Sequence, residues 1–314
     1  MITKKNTYTK ALEIKKENLA AKQRQYDIML NAAYASHPEL KGYDDKLSAL
    51  GASLAITALS GDAEKLAEIK QQSLEISALK KVILKKCQVQ DVVYDCPICA
   101  DTGYVNGKLC DCVKKIANAI AIKEFNKMMP IDDCTFENFD LKYYNDANAR
   151  RRMTSILKQC TEYVIGFDPN ASSNLLFLGG PGLGKTHLTM AIVAGVIEKG
   201  YFPVYGPADS LFSAIEKEKF QSENNGAYEQ MLNCDLLVID DLGTEMVTSF
   251  TKSALYNLIN TRLLTKKPTI INTNLSMEEI ISKYTPRIAS RLFGEFSTSQ
   301  FLGTDIRQQK LLGN

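Results

Sequence analysis

The chain has 314 residues, of which 45% are apolar and 24% charged, the balance of an ordinary soluble protein whose length favours more than one domain. The 38 basic and 36 acidic residues give a net charge of +2, which excludes an argument for nucleic-acid binding from bulk charge. No apolar run suits a membrane span or a signal peptide, so we expect a cytoplasmic protein without membrane contacts.

Residues 8–86 have the apolar periodicity of helices, with apolar side chains at three-to-four-residue or seven-residue steps. We expect breaks at His37-Pro38, Lys41-Gly42 and Ser60-Gly61-Asp62, because proline, glycine and N-capping residues interrupt helices. The apolar stripes either pack only against each other or include a face for a partner helix.

A cysteine-rich segment between residues 94 and 112 holds Cys96, Cys99, Cys110 and Cys112. Because disulfides are rare in the cytoplasm, a cysteine cluster this tight indicates a metal site. Turns at Thr102-Gly103 and Asn106-Gly107 predict a hairpin, on which four thiolates would close a tetrahedral Zn²⁺ site without an open catalytic position. Because the second pair is spaced more tightly than C-x-x-C, an iron–sulfur cluster or free thiols remain alternatives.

A helix is expected from Val113 to Met128, and Met129-Pro130 with Asp132-Asp133 marks the join to a second domain. From Asn174 onward, short apolar runs alternate with longer amphipathic ones, which is typical of a parallel sheet flanked by helices. The expected strands are LLFL, FPVY, LLVI and TIIN, and the expected helices lie at 185–199, after Pro207 and at 249–264.

These patterns predict an α/β protein in three parts. Residues 1–92 form an N-terminal helical domain, residues 93–130 a cysteine module with a linker helix, and residues 131–314 the α/β domain. No internal repeat or low-complexity tract interrupts this order.

The sequence G-x-x-x-x-G-K-[ST] directly follows the LLFL strand and opens the next helix. Its glycines let backbone amides turn toward the phosphates of a nucleotide, and the helix N-terminus adds partial positive charge. Lys185 would reach the terminal phosphates, and the Thr186 hydroxyl would bind Mg²⁺. The predicted nucleotide-binding residues are Gly179, Gly180, Pro181, Gly182, Leu183, Gly184, Lys185, Thr186 and the adjoining His187. The ring of His187 is expected mainly to pack, because no catalytic partner is evident.

Two later strands end in polar side chains that suit the same site. Asp240 would hold Mg²⁺ through water, and Asp241 would orient or deprotonate the attacking water. Two acids after a strand are more often a turn, but the upstream loop favours a functional pair. We prefer Asn274 over Asn272 as the amide that contacts the γ-phosphate or the attacking water, although either suits a cap or turn.

Arginines form two further candidate groups. Arg287 and Arg291 are four residues apart in TPRIASRL, hence on one helix face, and are either solvated or an arginine finger. Arg150–Arg152 is the densest basic cluster and is either a solvated helix face or a contact for single-stranded DNA.

Together, LLFLGGPGLGKTHL, LLVIDDLG, TIINTNLS and TPRIASRL resemble the ATPase core of the AAA+ family, within it the DnaC/DnaI helicase loaders and IstB-type transposition proteins. The resemblance covers roughly residues 135 to 300 and implies an AAA+ P-loop NTPase that uses ATP and Mg²⁺. The implied assignments are Walker A for Lys185 and Thr186, Walker B for Asp240 and Asp241, sensor for Asn274, and finger for Arg291 with Arg287 as its companion.

Two features depart from the AAA+ pattern. The second Walker B acid is Asp241, where many AAA+ proteins have glutamate with a longer reach. The chain after Arg291 is too short for the helical lid of larger AAA+ proteins, so a lid arginine acting on its own subunit's nucleotide is not assured.

The segment CPICADTGYVNGKLCDC resembles the cysteine module of DnaC-type loaders of Gram-positive bacteria, which IstB-type proteins generally lack. The implied function is that of a replicative helicase loader, whose N-terminal helices and zinc module grip a hexameric helicase. ATP would govern head-to-tail self-assembly and contact with single-stranded DNA, with slow hydrolysis as the switch. The alternatives are a transposition helper ATPase with a transposase and duplex DNA, and a P-loop kinase, which leaves Asn274 and the paired arginines unexplained.

Overall fold

The structure is a computed structural model that describes residues 4–127, 131–220 and 226–311, without the side chains of residues 4 and 5. The chain divides into a helical unit, Leu12–Val113, and an α/β unit, Met1–Ala11 with Lys114–Asn314. The predicted join at Met129-Pro130 lies outside the described residues. Within the described ranges, no helix has the length and apolar character needed to cross a bilayer. The three-part division stays a prediction.

The helical unit is built mainly from long helices, α1 (Lys4–Ser36), which belongs to it from Leu12 onward, α2 (Glu39–Ser60) and α3 (Ala63–Lys86). The breaks predicted at His37-Pro38 and at Ser60-Gly61-Asp62 are confirmed. Gly61 has φ +72°, and the Asp62 side chain caps α3 by accepting from the Lys65 N–H at 3.1 Å. The break predicted at Lys41-Gly42 is wrong, because α2 continues through Gly42. One interior glycine costs a helix only about 1 kcal/mol, which the packing of α2 on α3 offsets.

Polar contacts also join these helices. Asp44 of α2 accepts hydrogen bonds from the Tyr34 hydroxyl of α1 and the Lys80 ammonium of α3. The Lys80 ammonium and then the Tyr34 hydroxyl lower the pKa of Asp44. The Lys80 ammonium also lies 5.5 Å from the centroid of the Tyr34 ring, so one cation holds both neighbours.

The cysteine-rich segment forms the predicted hairpin. Strand β1 (Tyr104–Val105) pairs antiparallel with β2 (Lys108–Leu109), with Tyr104 opposite Leu109. Asn106 and Gly107 have φ +49° and +75°, the conformation of a tight hairpin turn. Helix α4 (Asp111–Asn126) follows and begins two residues earlier than the predicted Val113, while Met128 lies outside the described residues.

The α/β unit contains a five-stranded sheet, within the residues described, and every pairing in it is parallel. Its spatial order is β4-β5-β6-β3-β7. The strands are β3 (Asn174–Leu178), β4 (Pro203–Pro207), β5 (Leu236–Leu242), β6 (Thr269–Thr273) and β7 (Phe296–Gln300). The runs LLFL, FPVY, LLVI and TIIN are confirmed as strands, whereas β7 was not predicted.

Helices cover the sheet, as expected for parallel strands. Beyond α4 and the first residues of α1, the α-helices described in this unit are α5 (Ala147–Ile165), α6 (Lys185–Glu198), α7 (Ala208–Phe220), α8 (Ala227–Asn233), α9 (Ser249–Leu264), α10 (Met277–Lys283), α11 (Pro286–Glu295) and α12 (Ile306–Leu311). Leu176 and Leu178 of β3 join the core formed with α7, α9 and α11, while the alternating Leu175 and Phe177 are buried too. The sheet is therefore covered on both faces, and the predicted α/β architecture of a parallel sheet flanked by helices is confirmed.

A buried arginine secures the end of the sheet where β6 begins, opposite the end that carries the glycine-rich loop. Arg262 of α9 is 1% exposed and donates hydrogen bonds to Met231 O at 2.7 Å, Pro268 O at 2.6 Å and Thr269 Oγ1 at 3.0 Å. Burial lowers the pKa of its guanidinium, with the Cys234 thiol acting in the opposite direction. Arg262 thus ties the end of α8 to the beginning of β6.

Candidate nucleotide-binding site

The glycine-rich loop joins β3 to α6, and its shape depends on close packing at two glycines. Gly184 has φ +85°, and a Cβ atom there would lie 2.7 Å from the Phe139 ring. Gly182 has φ +69°, and its Cβ would lie 1.9 Å from Asp305 Oδ1. At both positions, any other residue would meet backbone strain and a steric clash.

Lys185, the first residue of α6, is 5% exposed, and its ammonium lies at the base of the loop. It donates to Gly179 O at 2.6 Å, Gly180 O at 2.7 Å and Asn274 Oδ1 at 2.7 Å. Burial lowers the pKa of Lys185, and the nearby carboxylate of Asp241 opposes that change. The cation is therefore fixed between the loop and the end of β6.

Asp240 is 4% exposed and is oriented by side chains from neighbouring elements. Its Oδ2 accepts from Tyr205 Oη at 2.8 Å and from Thr186 Oγ1 at 3.1 Å, and its Oδ1 accepts from Asn272 Nδ2 at 2.7 Å. Asn272 Oδ1 in turn accepts from Thr189 Oγ1 at 3.1 Å. The predicted Mg²⁺ ligands, Thr186 and Asp240, thus lie in contact.

The contacts of Tyr205 and Asn272 with Asp240 were not foreseen from the sequence. Burial, followed by the charge of Asp240, raises the pKa of Tyr205 and keeps its hydroxyl protonated as a donor. Asn272 is fully buried and positions Asp240, while Asn274 faces the cavity. For both Tyr205 and Asn272, the available sequence signal was a polar side chain within an otherwise apolar strand.

Asp241 lies where β5 leaves regular pairing with β6, and its φ is +51°. Asn274 Nδ2 donates to Asp241 Oδ1 at 3.2 Å, so the amide of Asn274 links Lys185 to Asp241. Burial, followed by the charge of Asp240, raises the pKa of Asp241. This geometry places the predicted sensor and the second acid together, although their roles stay predictions.

A cavity of about 560 Å³ opens over the loop, a volume within the range of ligand pockets. Its walls come from residues 133–143, 181–187, Asp241, Asn274 and residues 306–310. His187 lines this cavity, but its Nε2 donates to Thr135 O at 2.8 Å and its ring lies 5.5 Å from the Phe139 ring. His187 therefore has the packing contacts expected of it.

Two basic residues in this cavity were missed by the sequence analysis. Arg307 and Lys310 line it from the short helix α12. The Ile306 N–H donates to Gly182 O at 3.0 Å, and Gln309 Nε2 donates to Tyr143 O at 3.1 Å. These contacts hold α12 against the glycine-rich loop. Its weak sequence signal was a Thr-Asp pair ahead of a single helical turn.

Arg287 and Arg291 lie on α11, as predicted, but neither is among the described residues that line this cavity. Arg287 is exposed and Arg291 partly exposed. Just before α11, the Tyr284 hydroxyl donates to the buried carboxylate of Glu245, which accepts the Gly243 N–H at 2.8 Å. The arginine-bearing helix is thus joined to the loop that follows Asp241.

The basic cluster of α5 makes local contacts. Arg150 Nε donates to Tyr144 O at 3.0 Å, and Arg151 Nη2 donates to Asn148 Oδ1 at 2.6 Å. Arg151 and Arg152 are exposed. This arrangement agrees with a solvated helix face.

In the helical unit, the thiol sulfurs of Cys96, Cys99, Cys110 and Cys112 all lie within 4.8 Å of one another. A tetrahedral site with Zn–S bonds of about 2.3 Å needs sulfur separations of about 3.8 Å. The observed pairs Cys96–Cys110 at 3.8 Å and Cys99–Cys112 at 3.5 Å fit that geometry. Backbone amides of Cys99 and Ile98 face the Cys96 sulfur and lower its pKa to about 7. The donor set fits zinc, and the identity of the metal stays a prediction.

In the α/β unit, a glycine-rich loop joins a parallel strand to a helix, the helix begins with a lysine and a threonine, and carboxylates lie at the end of a nearby strand. These features define a P-loop nucleotide-binding protein. The family model for "IstB-like ATP binding protein" matches residues 116–288, more than half of the chain. The chain belongs to this ATP-binding family.

The replicative helicase loader DnaC of Escherichia coli K12 is 32% identical over 165 residues, which cover 51% of this chain and 63% of DnaC, less than two thirds of its length. The ATP-binding protein assigned to insertion sequence IS21 of Pseudomonas aeruginosa is 29% identical over 103 residues, covering 33% of this chain and 38% of that protein. A crystal structure of the DnaC helicase loader aligns with a TM-score of 0.48 at 22% identity, covering 55% of this chain and 98% of that one.

Proposed function

We propose that this protein is an ATP-dependent replicative helicase loader that hydrolyses ATP and contacts a helicase and single-stranded DNA. The observation that carries the proposal is the 32% identity to the E. coli helicase loader DnaC. The P-loop site described above supports the ATP-dependent part. The separate helical unit with its cysteine hairpin supports a partner-binding part.

In this proposal, the glycine-rich loop and Lys185 bind the phosphates of ATP. Thr186 and Asp240 would hold Mg²⁺, which would supply positive charge to the phosphates of ATP. Asp241 and Asn274 orient the attacking water, and the raised pKa of Asp241 makes its carboxylate a better proton acceptor than an ordinary aspartate. The shorter reach of aspartate suits slow hydrolysis, as expected of a switch.

The basic residues divide between two roles. Arg307 and Lys310 line the cavity of their own subunit and would neutralise phosphate charge there. Arg287 and Arg291 lie on α11 outside the described cavity lining, so we assign them to the nucleotide of a neighbouring subunit. A contact of this kind is head-to-tail and builds rings or open filaments.

The helicase would bind the helical unit. Apolar side chains of α2 and α3 lie open to solvent there: Ile56 is 70% exposed, Leu59 91% and Leu74 66%. Exposed apolar side chains on a helical surface are typical of a protein-binding face. This choice favours the partner-binding alternative for the helical stripes.

For single-stranded DNA, an aromatic pair offers a better contact than Arg150–Arg152. Phe220 is 64% exposed, and its ring centroid lies 5.4 Å from that of Phe250. Lys219 Nζ lies 5.5 Å and 5.1 Å from these two rings, and a groove of about 310 Å³ adjoins Phe250. Aromatic faces beside a cation suit the stacking of unpaired bases and the binding of the phosphate backbone.

The second candidate is a transposition helper ATPase, favoured by the IstB-like family match and by the IS21 relative. The two candidates differ in their partners. Size-exclusion chromatography of the full chain with the host's hexameric helicase and ATP is expected to give a complex. In a matched pair, Leu59→Glu should weaken that complex and the exposed Arg152→Glu should not. Binding to transposase and duplex DNA without a helicase complex would favour the second candidate.

A further inference from the structure

A buried carboxylate lies directly beside the cysteine cluster. The side chain of Asp101 is fully buried and accepts the Cys96 N–H at 2.9 Å and the Asp95 N–H at 2.8 Å. Asp101 and the preceding Ala100 have φ +60° and +46°, so the backbone bends into the left-handed region after Cys99. Non-glycine residues adopt this conformation at a cost, which the hydrogen bonds of Asp101 offset. Asp101 thus fixes the backbone that carries the first cysteine pair.

Lys15 of α1 provides the countercharge. Its side chain is 5% exposed, and its ammonium lies 2.5 Å from Asp101 Oδ1. Burial acts against the charged form of Lys15, but the hydrogen bond to Asp101 and the nearby Cys112 and Cys99 sulfurs raise its pKa overall. A lysine this deeply buried requires such partners.

Apolar packing joins the same two elements. A Cβ atom on Gly103 of the hairpin would lie 2.8 Å from Leu12 Cδ2 of α1 and 3.2 Å from Val113 Cγ2. The backbone of the hairpin therefore approaches α1 as closely as glycine permits. Lys15 lies three residues after Leu12, one turn further along the same helix.

We infer that Lys15 and Asp101 form a buried outer layer of the cysteine metal site, through which metal binding holds α1 against the hairpin. Four thiolates around a divalent cation carry a net charge of about −2, and Asp101 adds a further negative charge. Lys15 offsets this negative charge in the protein interior, where water cannot solvate it. Partners of this kind commonly tune a metal site. The inference goes beyond the proposed function and does not depend on it.

The test is the zinc affinity of the full chain, measured by competition with a chromophoric chelator. Lys15→Met should bind Zn²⁺ about tenfold or more weakly, the usual effect of removing an outer-layer partner. Lys22→Met is the matched control, because Lys22 lies 3.3 Å from Asp101 but is 28% exposed and bonds mainly to Asp95. That variant should stay within about twofold of the wild type. Equal affinities for the two variants would overturn the inference.

A double variant separates charge from packing. Lys15→Met with Asp101→Asn also removes the buried carboxylate that has lost its Lys15 partner, so it should bind Zn²⁺ more tightly than Lys15→Met alone. A double variant that binds no more tightly would contradict the charge argument.

Hydrogen exchange on the wild type avoids any folding defect of the variants. Removing zinc with a chelator should speed amide exchange in α1 near Lys15 and leave strands β3, β5 and β6 unchanged. Unchanged exchange in α1 would overturn the inference. ATP binding is measured separately, so failure here is distinguishable from failure of the proposed function.

Discussion

Replacing Asn274 by alanine removes the amide that connects Lys185 to Asp241. Two hydrogen bonds are lost, one of 2.7 Å to the Lys185 ammonium and one of 3.2 Å to the Asp241 carboxylate. Lys185 keeps Gly179 O and Gly180 O as acceptors. The change therefore removes a positioning group and leaves Lys185, the proposed phosphate-binding residue, in place.

The expected magnitude differs between binding and hydrolysis. Because Asn274 is exposed and Lys185 retains its other partners, ATP affinity should change by no more than about threefold. A positioned amide beside the reacting phosphate is worth about 3–4 kcal/mol in the transition state, so kcat should fall about 10²- to 10³-fold.

The pH dependence gives a second readout. Burial raises the pKa of Asp241, and the hydrogen bond from Asn274 lowers it. Losing that bond raises the pKa further, so protonated Asp241, which could not accept a proton in the proposed reaction, persists to higher pH. The acidic limb of the pH–rate profile should therefore shift toward higher pH in Asn274→Ala.

The assay is phosphate release at saturating ATP, paired with a titration of a fluorescent ATP analogue. Asn233→Ala is the control, because Asn233 is an exposed asparagine that bonds Glu229 on α8. Wild-type kcat in Asn274→Ala would refute the assignment. Equal losses of affinity and turnover would show that Asn274 supports binding in general.

Three other substitutions test separate parts of the structure. Arg307→Ala should weaken ATP binding about tenfold, and unchanged affinity in the fluorescent titration would exclude a contact within its own subunit. Gly184→Ala should abolish that binding, because its Cβ would lie 2.7 Å from the Phe139 ring at φ +85°; normal binding would contradict the packing of the loop. Arg262→Met leaves several carbonyl oxygens without their buried donor and should lower the free energy of unfolding by about 3–5 kcal/mol in urea. The exposed Arg152→Met should change it by less than about 0.5 kcal/mol, and equal effects would deny Arg262 its role.

The sequence predicted those parts of the fold in which local pattern and tertiary environment agree. Strand β3 is a continuous apolar run in a sheet that helices cover on both faces, so all of its apolar side chains are buried. Helix α9 occupies the predicted range 249–264. Strand β7 was missed because FSTSQ has no apolar run. Only Phe296 and Ser299 of this strand are buried, and its exposed residues are kept in the strand by parallel pairing with β3. The break predicted at Gly42 was wrong because the low helix propensity of one glycine is outweighed by the packing of α2 on α3.

The site was predicted where a motif fixes its geometry and missed where distant segments meet. Lys185 and Asp240 follow from motif spacing. Tyr205 and Asn272 orient Asp240 through side chains on other strands, a contact that depends on the order of strands in the sheet. Arg307 enters the cavity because α12 binds the backbone of the glycine-rich loop, and a six-residue helix has little periodicity to recognise.

The most informative measurement is an equilibrium titration of the full chain with a fluorescent ATP analogue and Mg²⁺, comparing wild type with Lys185→Ala. Losing the charged contact to the phosphates should cost about 3 kcal/mol, or at least about a hundredfold in affinity. Lys199→Ala, an exposed lysine beyond the far end of the same helix, should bind normally. Wild-type affinity in Lys185→Ala would contradict nucleotide binding at this loop.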